Sequence, residues 1–129
     1  MKMTKEIVYV NDGKDILLNK GTEFVVSCQV NNTGVSSVNG EKKIPAGTPI
    51  GGTTSIITNP RAVLSVTNSS TTGVNAQGIL LDAVDVTDGN ADAQIVIRGV
   101  IDTSKCPTLD ATVITALKGA ITFVNGGKQ

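Results

Sequence analysis

The chain has 129 residues, 11 basic against 11 acidic side chains, no histidine, and only 2% aromatic residues. The charge balance leaves none of the basic field that non-specific nucleic-acid binding needs, and two arginines and three aromatics are too few for a base-stacking platform. The missing histidine removes Ser-His and Cys-His nucleophile pairs and every His-containing zinc site.

Hydrophobic residues make up 40% of the chain, and its length suits one domain. With Tyr9, Phe24 and Phe123 as the only aromatics, the core must come from Val, Ile, Leu and Ala. So β-branched a core favours strands. No apolar run reaches the roughly 18 residues of a membrane span. The first ten residues lack the apolar stretch of a secretory signal, so synthesis in the cytoplasm is expected. Cys28 and Cys106 match no metal or redox spacing and read as small buried hydrophobes.

Taken in order, the chain begins with a polar end and the strand-like Glu6-Ile7-Val8-Tyr9-Val10. Turns at Asn11-Asp12-Gly13 and Asn19-Lys20-Gly21 separate this from Ile16-Leu17-Leu18 and from Glu23–Val30, giving two or three short strands. Residues 31–43 are a loop by composition and the natural boundary between an N-terminal segment, 1–43, and a main body, 44–129. Pro45 and Ala46 before Gly47 predict a type II turn, and Pro49 keeps Thr48 extended. A strand is expected at about 61–67, followed by a polar loop over Thr67–Gly73. The sequon matches at Asn31 and Asn68 signify polar loops only.

Residues 79–101 carry the strongest local signal. Two Val- and Ile-rich runs flank Asp88-Gly89, which predicts a hairpin with a wide loop from Thr87 to Asp92. In the second run Ile95, Ile97 and Ile101 should share one face with Gly99, and Val96, Arg98 and Val100 the other. A helix is expected over 108–118, capped by Thr108, with Leu109, Val113, Ala116 and Leu117 on one face. A final strand at 120–124 and a polar tail complete the chain. The fold class is mostly β (α+β): a small β domain with a central hairpin and one short C-terminal helix, preceded by an N-terminal β arm.

Asp82, Asp85, Asp88 and Asp92 are the candidates for chemistry. Asp88-x-Asn90-x-Asp92 has the oxygen spacing that opens a calcium loop, but Gly89 comes too early and the twelfth position is Gly99, not a bidentate Glu. The cluster therefore reads as a solvated acidic turn, with no metal and no catalytic residue assigned. Asp82 and Asp85 would point to opposite faces of a strand, unlike a glycosidase pair. Arg98 interrupts an apolar strand. Its stem can lie over apolar surface, it can pair with Asp82 or Asp85, or it can sit at a subunit contact.

Three stretches, Ile44-Pro45-Ala46-Gly47-Thr48-Pro49-Ile50-Gly51, Gly78–Gly89 and Ala93–Asp102, together resemble the head decoration proteins of tailed bacteriophages, closest to those called phage head fibre proteins. The shared pattern is a P-A-G-T-x-x-G corner, a Gly-Ile-Leu-Leu strand and an apolar strand ending near Arg-Gly. Lambda-type decoration proteins show the same order more distantly, with a short helix and a terminal strand after it. The resemblance covers about residues 44–124. It departs at Ala83, and the first 43 residues have no counterpart.

The resemblance implies a structural virion protein without enzymatic activity or cofactor. Such a protein is made in the host cytoplasm, sits on the capsid outer surface, and binds the major capsid protein, often as a trimer at local threefold positions. It implies no nucleic-acid or membrane partner. Glu6, Ile7, Val8, Tyr9 and Val10 are the expected capsid-binding strand, which could instead pair within its own domain, and Arg98 the expected subunit contact. The alternative is a phage fibre or adhesion module binding host-surface glycans, which the three aromatics serve poorly.

Overall fold

The computed structural model describes residues 16–18 and 23–125. Nine strands are described, and the longest, β8 (Ala91–Asp102), organises the others. Its 12 residues are more than half apolar and carry no proline. The rest of the sheet is β1 (Leu17–Leu18), β2 (Phe24–Val30), β4 (Pro49–Gly51), β5 (Val63–Val66), β6 (Ala76–Leu80) and β9 (Ile121–Val124). β3 (Lys43–Ile44) and β7 (Val84–Asp85) form a separate two-stranded ribbon.

Five of these strands close on themselves. β8 pairs with β2, β2 with β5, β5 with β4, β4 with β6, and β6 returns to β8. Every contact in this ring is antiparallel except β2–β5. Closure gives each member strand a neighbour on both sides, with β2 meeting β5 at Gln29 and Val30. Beyond the ring, the last third of β8 carries β1 on one flank and β9, in parallel, on the other.

Strand alternation produces two cores. Cys28, Val30, Ile50, Leu64, Leu80, Ala93 and Ile95 gather in one cluster with Ile44, Ile56 and Val86 from the connections. Ile79 and Val96, one residue out of phase, belong to a second cluster with Ile101, Ile121 and Val113. Between the strands and the helix this second cluster holds α1 (Ala111–Leu117), which buries Val113 and Leu117.

The mostly β class with one short C-terminal helix stands. So does the proline-glycine corner: Gly47 has φ 91°, the Thr48 N–H donates to the Pro45 carbonyl at 3.3 Å, and the Thr48 hydroxyl donates to it at 2.7 Å. The corner is tied to β6, because the Gly47 N–H donates to the Leu80 carbonyl (2.8 Å) and the Leu80 N–H to the Thr48 carbonyl (2.9 Å).

Three expectations need correction. The hairpin is wider than Thr87–Asp92. Ladder pairing ends at Leu80↔Ile95, with one more bond from the Leu81 N–H to the Gln94 carbonyl at 2.9 Å. β7 then leaves β8 to pair with β3, which buries Ile44 and Val86, and the turn falls at Val86–Gly89. The face assignment of β8 also changes. A bulge opposite Phe24/Val25 makes Arg98 and Val96 successive partners of β2, and Gly99 has φ 147°. Past this point the phase shifts, so Ile97 packs with Ile95 while Ile101 lies with Val96. Finally, the helix begins later and is shorter. Asp110, not Thr108, is its cap, accepting from the Thr112 N–H at 2.9 Å, and Ala116 is exposed.

The sequence boundary after Lys43 falls between the two residues of β3, and β2, which precedes it, is a ring strand. β1 and β2, from the first 43 residues, are thus built into the same sheet as strands from the rest of the chain. Glu6–Val10 lie outside the described residues.

Candidate functional site

The four aspartates stay near one another in sequence but serve local geometry. Asp85 is exposed and accepts from both the Thr87 N–H (2.9 Å) and the Thr87 hydroxyl, which fixes the approach to the Val86–Gly89 turn. These bonds, the hydroxyl first, hold its carboxyl below the usual carboxylate range, with Lys43 across the ribbon adding to the effect. The Thr87 hydroxyl is also the acceptor for the Lys42 N–H at 2.9 Å, so one side chain joins both strands of the ribbon. Asp88 and Asn90 are exposed in the turn, and Asp92 accepts from the Gln29 amide at 3.3 Å. Among the described residues no three Cys, Asp or Glu groups converge as metal ligands.

An open groove of about 650 Å³ lies along the β2–β8 pair. It is lined by Ser27 and Gln29 of β2, Asp92 and Gln94 of β8, and Asp82 and Pro60 from the connections. Cys28 also borders it, but burial pushes that thiol up to about 11, so it stays protonated at neutral pH. The groove offers amide and carboxylate hydrogen bonding and no activated nucleophile.

Arg98 is exposed, and its cross-strand neighbour is Phe24, itself 57% exposed, rather than Asp82 or Asp85. The bulge puts both side chains at the point where β8 passes from its pairing with β2 to its pairing with β1. Arg98 therefore stands with an exposed aromatic on the protein surface.

Two organising residues give no signal in the sequence. Gln77 holds the connection between β4 and β5: its Oε1 accepts from the Ile56 N–H (2.8 Å), and its Nε2 donates to the carbonyls of Gly52 (3.2 Å) and Thr54 (2.8 Å). Ile56 is thereby held in the core while Ile57 is 63% exposed. Asn68 does similar work for the helix, donating to the Thr108 carbonyl (2.9 Å) and accepting from the Asp110 N–H (2.8 Å). Asn68 lies in the polar loop and Gln77 at the start of β6, and the partners of both are distant in sequence. No protein-family model matches the chain, and no curated protein matches it either.

Proposed function

We propose that the protein is a capsid decoration protein of the tailed-phage class, which binds the outer surface of an assembled head and cements it. One observation carries the reading. The three stretches that resemble head decoration proteins are neighbours in space: the corner at Pro45–Thr48 is hydrogen-bonded to the end of β6, and β6 lies between β4 and β8. A closed ring of short strands suits this work, because it makes a rigid body whose paired edges do not recruit copies of itself.

In this reading Glu6–Val10 adds a strand to a shell subunit, a mode in which backbone bonds supply affinity and alternate side chains supply specificity. Arg98, beside Phe24, contacts a neighbouring subunit, and three copies meet at a local threefold position. The protein acts without catalysis or cofactor.

The test mixes the purified protein with expanded heads that lack it. It should co-sediment and saturate at a fixed ratio to the capsid subunit. A variant lacking residues 1–12 should fold and bind at least tenfold more weakly. Failure of the intact chain to co-sediment, or binding to a glycan array in its place, would sink the reading.

A further inference from the structure

The loop before β3 ends in a tight hairpin. The Val38 N–H donates to the Glu41 carbonyl at 2.8 Å, and the Glu41 N–H donates to the Val38 carbonyl at 3.0 Å. Asn39 and Gly40 between them have φ 54° and 81°, as a type I′ turn requires, and both are exposed. Other asparagine side chains are tied down. Asn31 and Asn59 each accept from the N–H two residues on, Asn32 donates to the Val86 carbonyl, and Asn68 is held at both ends by Thr108 and Asp110. Among the described residues no hydrogen bond engages the Asn39 amide or the Gly40 N–H. A side chain built on Gly40 would meet nothing within 4 Å, so no neighbour shields that nitrogen. The Asp88-Gly89 turn differs: its Gly89 N–H donates to the Val86 carbonyl at 3.1 Å.

These are the conditions under which an asparagine reacts with its own backbone. The Gly40 nitrogen, once deprotonated by solvent base, bonds to the Asn39 Cγ. The bond from Cγ to Nδ2 breaks, and Nδ2 takes a proton from water and leaves as ammonia. The product is a succinimide, and glycine offers no Cβ to hinder its closure. Water then opens the ring. Breaking the bond from Cγ to the Gly40 nitrogen leaves an aspartate in an ordinary backbone. Breaking the bond from the main-chain carbonyl carbon leaves isoaspartate, with the backbone running through Cβ and Cγ. The left-handed backbone at Asn39 must swing out of the turn for Cγ to face the nitrogen. Only the exposed Val38–Glu41 bridge holds it, and such a bridge opens at little cost.

We infer that Asn39 is a site of spontaneous modification in the folded protein, converting through a succinimide to aspartate and isoaspartate. The extra backbone carbon of isoaspartate breaks the register of Val38 with Glu41. The ribbon beyond is anchored separately, by the Lys42 N–H on the Thr87 hydroxyl at 2.9 Å, so the change stays at the tip. The inference is independent of the head-decoration reading.

The test holds the full chain folded in mildly alkaline buffer and, in parallel, unfolded in guanidinium chloride, and follows both by tryptic mass mapping. Cleavage after Lys20, Lys42, Arg61 and Arg98 puts Asn39 and Asp88 in separate fragments, 21–42 and 62–98. In the folded chain residue 39 should gain the mass of O replacing NH and split into two chromatographic products. Its rate should lie within about tenfold of the unfolded chain's, because the bridge opens readily, and should rise with pH. Asp88-Gly89 should isomerise at least about tenfold more slowly folded than unfolded, since its N–H is held. Asn39→Gln, whose longer side chain closes a ring far more slowly, should leave fragment 21–42 unchanged in the folded chain. An Asn39 that stays intact in the folded chain after the unfolded chain has converted would overturn the inference. So would the same mass gain in fragment 21–42 of folded Asn39→Gln.

Discussion

Gln77 decides whether the connection after β4 is part of the core or a loose loop. Its amide satisfies the Ile56 N–H and two carbonyls at once. Gln77→Ala leaves all three to water or unpaired, and the loss should be about 1–3 kcal/mol, read as a lower urea midpoint with an unchanged slope. Amide exchange over residues 52–58 should rise more than elsewhere. Cys28 gives a second test at this scale. Its thiol titrates near 9.0 when exposed and is pushed up to about 11 in the fold by burial. The folded state therefore holds this proton more tightly than the unfolded state does. Stability from this group is intact below pH 9 and declines as pH rises toward 11. In Cys28→Ala that part of the alkaline decline should disappear in pH-dependent melting. At pH 8 a thiol reagent should modify Cys106, which is half-buried, well before Cys28.

The helix shows how one element depends on a distant residue. It has only seven residues, too few to persist alone. Its start is fixed by the Asp110 cap and by the Asn68 bracket on Thr108 and Asp110. Asp110→Ala should cost about 1 kcal/mol. Asn68→Ala should cost a similar amount, and because both changes act on one helix start, the double variant should lose less than the sum, measurable in a double-mutant cycle. This bracket also explains what the sequence could and could not reveal. Strand-forming runs and the turn at Gly47 follow from local chemistry, so β2, β5, β8, β9 and the corner were legible. Thr108 and Asp110 are both acceptable caps by type. Only the tertiary contact with Asn68, which occupies the Thr108 carbonyl, selects Asp110. The same holds for the central hairpin: alternation predicts that two runs pair, but not that β3 draws β7 away. The phase change in β8 was hidden because a bulge depends on the partner strand. Of the site residues, Arg98 could be marked as unusual, but its neighbour Phe24 could be known only once β2 was in register.

At the scale of the whole molecule, ring closure separates a rigid body from the places where it can make contacts. Five strands have neighbours on both sides, while among the described residues β1 and β9 each pair with β8 alone, and Phe24 with Arg98 presents an exposed pair. A decoration protein so built would stabilise a shell by linking subunits that otherwise separate, and the effect should grow only until its sites are filled. The most direct measurement is the thermal disruption of expanded heads, followed by calorimetry as the protein is added. The account predicts that the disruption temperature rises with added protein and levels off at the ratio where co-sedimentation saturates. Heads that come apart at the same temperature with all sites occupied, or heads that never take up the protein, would contradict it.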